Sequence, residues 1–246
     1  MRHSKQIGFG DIKNMTEKEL CGSVIISLDI DWASDFILED ALRLASECGI
    51  KPTLFLTHQS PLVQKIFKEK KYEFGLHPNF EKLLNGDDSN GLDAEDVLNR
   101  LMISFPNVDC VRSHCLTTSS SLKALFKSKN FSLESSFITH GVHKKFPNFW
   151  TECTGIVHVP ITWEDDVWFT LEEGEIGARP SSILQSDALN VLTFHPIHLF
   201  LNTTDADHYK ESRDFINNPN ELFKYRKVEE FGVRNIFSNI AKMLNG

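Results

Sequence analysis

The chain has 246 residues, 41% of them apolar and 24% charged, enough for a substantial core, and one domain over 1–246 is expected because α/β barrels often reach this length undivided. Its net charge of −8 argues against a nucleic-acid footprint, which needs clustered Lys and Arg, and "KEKKY" reads as a solvated helix end. Five cysteines without a C-x-x-C pair suggest neither a disulfide framework nor a zinc knuckle; no stretch approaches the roughly 18 apolar residues of a membrane span, and the N-terminus lacks a signal peptide's apolar run, so a soluble cytoplasmic protein is expected.

In chain order, short apolar runs predict strands at "VIISLDI", "PTLFLTH", "YEFGLH", "DCVRSHCL", "FSLESSFI", "GIVHVPITW" and "NVLTFHP". Helix-like stretches lie between many of them. In "SDFILEDALRLASECG", Ile37, Leu38, Ala41, Leu42 and Ala45 recur at helical spacing behind a Ser34 N-cap and before a Gly49 stop. "LDAEDVLNRLMISF" and "SSLKALFKSKN" repeat the pattern. Alternating β and α with continuous apolar strands implies a largely parallel sheet covered by helices.

Polar residues of chemical interest fall at the C-terminal ends of these strands, the edge where parallel α/β folds bind ligands. Asp29 and Asp31 are expected on one face of the first strand, by alternation. Two carboxylates so close repel unless a cation or a strong donor sits beside them, and a metal ion resolves the conflict. His77, with Asn79 and Glu81 close behind, offers an imidazole that with Asp31 makes a mixed O/N site. Arg112 and His114 are expected on one face of their strand; the arginine can hold Asp29 or an acid of "WEDD" ionised, and His114 is a third ligand, a substrate contact or a core histidine. His195 is suited to deliver a proton near neutral pH. His58, His198, Trp32 and Trp163 are candidate substrate contacts; the tryptophans, with Trp168, are either packing residues or platforms for a sugar ring.

With these residues in place, the chain resembles the polysaccharide deacetylases that share the NodB-homology domain, the carbohydrate esterase family 4 group. "LDIDW" is similar to the family's opening pair of aspartates, "EFGLH" to its Glu-x-Gly-x-His motif, "VRSH" to the motif that brings an arginine, and "LTFH" to its closing Leu-x-x-His. "EFGLHPNF", "RSH", "WEDD" and "FHPIH" further resemble deacetylase-like proteins of surface-polysaccharide and O-antigen gene clusters.

The resemblance runs over about 24–205 and implies a distorted (β/α)7 TIM-like barrel there, with an N-terminal extension and a C-terminal helical tail, and metal-dependent removal of an N-acetyl group from a sugar that is nucleotide-linked, lipid-linked or part of an oligosaccharide. It implies zinc, or cobalt or nickel, held by Asp31 and His77, with Asp29 as general base, Arg112 orienting it, His195 as general acid, and Asp165 or Asp166 holding Arg112. One position departs from the pattern. Where the family has its second metal histidine this chain has Glu81, so His114 or Asn79 is expected to complete the site. Two further readings compete: a haloacid-dehalogenase-like Mg-dependent phosphatase, which leaves the strand-end histidines unexplained, and a barrel that binds sugar or a partner without turnover, which the departure at Glu81 would favour.

Overall fold

The computed structural model describes residues 5–139, 149–171 and 180–246. Among them the strands are β1 (Val24–Asp29), β2 (Thr53–Leu56), β3 (Glu73–Leu76), β4 (Cys110–Val111), β5 (Leu133–Glu134), β6 (Trp150–Thr151), β7 (Val157–His158), β8 (Trp163–Glu164) and β9 (Asn190–Phe194). They form one sheet in the order β6-β7-β5-β4-β3-β2-β1-β9-β8, parallel throughout except for β6 on β7. The run from β7 to β8 pairs with β5 at its start, bridges Ile138 through Ile161, and pairs with β9 at its end. The sheet therefore curls round to meet itself as a distorted barrel, whose parallel staves are the seven runs read from the sequence. β6 is the addition: an exposed two-residue edge too short to carry a periodic signal.

Strand alternation sorts the core into two layers. On β1, Val24, Ile26 and Leu28 join the packing between barrel and helices, against Leu38, Ala41 and Phe194. Ile25 turns inward to meet Phe9, Phe55, Cys110, Leu133 and Val191. Burial on both faces explains why the strands read as continuous apolar runs.

The helix Asp35–Glu47 forms where its periodicity places it and buries Ile37, Leu38, Ala41, Leu42, Leu44 and Ala45. Ser34 stands at the N-cap position, but its hydroxyl makes no capping bond, and Asp35 Oδ2 instead accepts the Leu62 N–H at 3.1 Å, tying this helix to the next. "KEKKY" ends the helix Pro61–Glu69, with Lys68, Lys70 and Lys71 exposed. All five cysteines are free. No helix among the described residues is long and apolar enough to cross a membrane.

The Glu-x-Gly-x-His motif has structural work at its first two positions. Glu73 accepts the Phe9 N–H (2.7 Å), the Gly10 N–H (2.6 Å) and the Thr53 hydroxyl (2.7 Å), and so clamps the N-terminal turn Phe9–Asn14 under the barrel. Gly75 leaves room for Phe55, whose Cε1 would overlap a Cβ at this position. That ring lies beneath the Arg112 guanidinium, 3.9 Å from centroid to Cζ. Gly75→Ala therefore displaces the platform under a buried charge, and a loss of about 1–3 kcal/mol is expected, the usual range for overpacking a core. Urea unfolding monitored by tryptophan fluorescence measures it.

Candidate active site

Above the apolar floor lies a buried polar tier. Arg112, fully buried, donates from Nη1 to Asp29 Oδ1 (2.7 Å), Ser27 Oγ (3.0 Å) and Thr193 Oγ1 (3.1 Å), from Nη2 to Ser135 Oγ (2.9 Å), and from Nε to the Ser135 carbonyl (3.2 Å). The guanidinium thus spans β1, β9 and the end of β5, and compensates the carboxylate of Asp29. Asp29 Oδ2 is left to face the rim, 3.7 Å from His77 Nε2.

The rim tier is built by loops. β1 stops at Asp29, and Asp31 and Trp32 take left-handed backbone conformations (φ 34° and 55°), which turn the Asp31 carboxylate back over the barrel. Strand alternation is therefore not what joins the two aspartates; the turn is. β4 likewise stops at Val111, and His114 reaches the site from a tight turn in which Cys115 and Leu116 have φ of 51° and 50°. Left-handed pairs of non-glycine residues are costly and recur at functional sites. His77 donates from Nδ1 to the Arg112 carbonyl (2.7 Å), which fixes its tautomer and leaves the Nε2 lone pair facing Asp31 Oδ1 at 3.2 Å. His114 Nδ1 approaches the same oxygen at 3.3 Å, and that buried oxygen has no hydrogen-bond partner.

A bare imidazole nitrogen and a carboxylate oxygen converging in this way repel unless a cation lies between them. One ligand atom each from Asp31, His77 and His114 fall within 4.8 Å of one another. Two imidazoles and one carboxylate suit zinc, cobalt or nickel. Asn79 is used elsewhere: its Oδ1 accepts the Glu81 N–H (2.9 Å). Exposed Glu81 accepts from Cys115 Sγ at 3.5 Å.

The third group centres on His195. Asp165, fully buried at the start of the helix Asp165–Leu171, accepts the His195 Nδ1 proton at 2.7 Å and the His195 backbone N–H at 2.8 Å. The expectation that Asp165 or Asp166 holds Arg112 is thus corrected. Asp165 holds His195, Asp166 donates its own N–H to Asp165 (2.9 Å) and lines the cavity, and Arg112 is held by Asp29 and hydroxyls. Burial opposes charge on the His195 ring, but Asp165, Asp31 and Asp166 outweigh it, so its pKa lies well above the ordinary histidine value. Burial raises Asp165 to about 6 against the pull of that imidazolium. His195 Nε2 faces Asp31 Oδ2 at 3.5 Å.

A cavity of about 420 Å³ opens beside Asp31, Asp166 and His195. Trp32, 44% exposed, stands at its mouth edge-on to His114. His198 lines it, held by Thr203 and packed edge-to-face with Tyr209, and burial and then the His195 charge keep its pKa well below the ordinary value. His58 supports the loop rather than the cavity: its Nδ1 pairs with Thr57 Oγ1 (2.9 Å), which accepts the Trp32 N–H. Trp163 is no sugar platform. It is 3% exposed and packs on Phe194 in the helix-facing layer, because alternation along β8 turns its neighbour inward instead.

That neighbour, Glu164, is the residue that sequence reasoning missed as an individual. Its carboxyl lies with those of Asp29 and His195 Nε2 or Nδ1 in one buried group within 4.8 Å. Burial and then Asp166 push its pKa up to about 8, toward the neutral form in which the carboxyl can donate a hydrogen bond. Its place in "WEDD" identified the acidic run but not which acid faces in.

Comparison with known proteins follows the same lines. The family model for WbmS-like polysaccharide deacetylases matches residues 26–213. A Bordetella bronchiseptica protein, described as a polysaccharide deacetylase involved in O-antigen biosynthesis (WbmS), has a solved structure that is 30% identical, with a TM-score of 0.84 and 97% of each chain covered. A polysaccharide deacetylase structure from Mycobacterium smegmatis aligns at 13% identity and a TM-score of 0.44, over 90% of each chain. A family 4 carbohydrate esterase from Bacillus anthracis aligns at 14% identity and a TM-score of 0.40, over 80% of this chain and 75% of that one. No curated protein matches significantly.

Proposed function

The chain belongs to the WbmS-like polysaccharide deacetylases, and from that premise we propose that it hydrolyses the N-acetyl group of a sugar with the help of a divalent metal ion, zinc in the first place and cobalt or nickel as alternatives. The observation that carries the proposal is the convergence of His77 Nε2 and His114 Nδ1 on one orphaned oxygen of Asp31, beside a base paired to a buried arginine and an acid paired to a buried aspartate.

Asp31, His77 and His114 hold the ion, which when bound supplies a Lewis acid for the attacking water and the acetyl oxygen. Asp29 accepts the water's proton at Oδ2, the oxygen that Arg112 does not use. Arg112 fixes the direction of that carboxylate and meets its charge without reaching the substrate. His195, a cation by virtue of Asp165, gives its Nε2 proton to the departing nitrogen as the C–N bond breaks. Glu164, its pKa raised by burial and then by Asp166, is biased toward the neutral form beside them, which limits the negative charge facing Asp29. Trp32 and the cavity wall bind the sugar.

The direct test is acetate and free amine released in equal amounts from N-acetylated sugars; release of neither from mono-, oligo- and phosphosugars removes the proposal. The ligand set is tested by metal analysis. Asp31→Ala, His77→Ala and His114→Ala are each expected to lower bound zinc at least about tenfold, since each removes one donor of three. Glu81→Ala is expected to leave it bound. Loss in Glu81→Ala with retention in His114→Ala would reverse the assignment of the third ligand.

The acid is tested by pH. Because Asp165 raises the His195 pKa, activity should persist above neutrality and fall as pH rises through that value. Asp165→Asn removes the partner, lowers the His195 pKa and should move the alkaline limb of kcat/KM to lower pH by about one unit or more, with kcat reduced about 10²-fold or further. An unmoved limb would show that another group is the acid.

A further inference from the structure

The same cavity carries two basic side chains besides the metal and acid cluster. Lys210 and Arg213 line it, three residues apart across the end of the helix Ala206–Ser212. Both are exposed, and neither makes an ion pair among the described residues. Among the described residues every other arginine has a carboxylate partner: Arg43 and Arg234 with Asp40, Arg100 with Asp96, Arg112 with Asp29, and Arg226 with Asp40. In a chain of net charge −8, acids to neutralise Arg213 are plentiful, so an arginine left bare on the wall of the active-site cavity has another use. Its charge is felt inside: it acts on Tyr209 of the same wall, against the burial that raises that phenol's pKa.

We propose that Arg213 and Lys210 form an anion subsite that binds a phosphate ester carried by the substrate, so that the sugar enters with its acetamide toward Asp31 and its phosphate toward the helix Ala206–Ser212. This rests on the deacetylase reading of the site and deepens it. Two unneutralised cations match a doubly charged phosphate, whereas a single sugar carboxylate would leave one of them unmet. A cavity of about 420 Å³ has room for one acetylated sugar ring with its phosphate. The substrate is then an activated or lipid-linked sugar phosphate rather than a neutral polymer.

The test is equilibrium binding by calorimetry of N-acetylglucosamine, N-acetylglucosamine 1-phosphate and an N-acetylhexosaminuronic acid, to the native chain and to the double variant Lys210→Gln/Arg213→Gln. The phosphate ester is expected to bind at least about tenfold tighter than the neutral sugar at low salt, and this margin should shrink at 0.5 M salt, roughly where exposed charges are screened, and vanish in the double variant. Preference for the uronic acid, equal binding of all three, no binding of any, or a preference that survives in the double variant each overturns the proposal. The two positions also suit the dipole at the helix end, so a double variant that loses stability but keeps the phosphate preference assigns them to the helix alone. Acetate release reports separately on the deacetylase reading: release that ignores the phosphate leaves that reading intact and removes only the subsite.

Discussion

Asp29→Asn is expected to lower kcat for amine release from an N-acetylated sugar by about 10³-fold, within the range for loss of a general base, while zinc stays bound at its full stoichiometry. Asparagine keeps the shape and the Oδ1 contact to Arg112, and the proposed metal donors are on other residues, Asp31, His77 and His114. The variant therefore separates proton abstraction from metal binding. Undiminished amine release would remove Asp29 from the chemistry, and loss of zinc would place it among the ligands. The distinction matters because two carboxylates this close on one segment are equivalent in the sequence, and only their partners tell them apart: Asp29 has a guanidinium, Asp31 has imidazoles.

Arg112→Met is expected to destabilise the fold by about 3–5 kcal/mol, the cost of leaving a buried charge unpaired. Asp29 is 2% exposed and the side chain of Arg112 is wholly enclosed, so water cannot replace the lost partner. The same substitution in the Asp29→Asn background should cost clearly less, because no carboxylate charge is then stranded. Denaturant unfolding of the two single variants and the double variant measures the coupling. Equal costs in both backgrounds would mean that Arg112 acts only through packing on Phe55 and its hydroxyl partners.

Much of this architecture was legible in the residues. Seven strands read as apolar runs because each parallel strand is buried on both faces, and the chemically active residues gathered at strand ends because that is where a barrel's interior opens to substrate. What failed were inferences that carried strand periodicity too far. Asp31 and His114 lie beyond the last paired residues of β1 and β4, in left-handed turns, so alternation could not aim them. Trp163 looked like a sugar platform because its type allows it; its place opposite inward-facing Glu164 decides otherwise. The partner of Arg112 was ambiguous among Asp29, Asp165 and Asp166, since nothing local in "WEDD" says which acid meets a histidine thirty residues on.

The departure at Glu81 is the most instructive case. Loss of the expected histidine argued for a weakened site or a non-catalytic barrel. The turn after β4 brings His114 to Asp31 instead, so that in the proposed site a third donor comes from a different strand end. A phosphatase with an aspartyl nucleophile has no use for two imidazoles on its second aspartate, and family membership is against it.

The central claim is that hydrolysis of the acetamide depends on the ion held by Asp31, His77 and His114. The most direct measurement is acetate release from an N-acetylated sugar phosphate before chelation, after removal of metal, and after return of one equivalent of zinc. Loss of activity on chelation and its recovery with zinc, absent in His114→Ala, is the predicted result; acetate release that continues unchanged in the metal-free protein would contradict it.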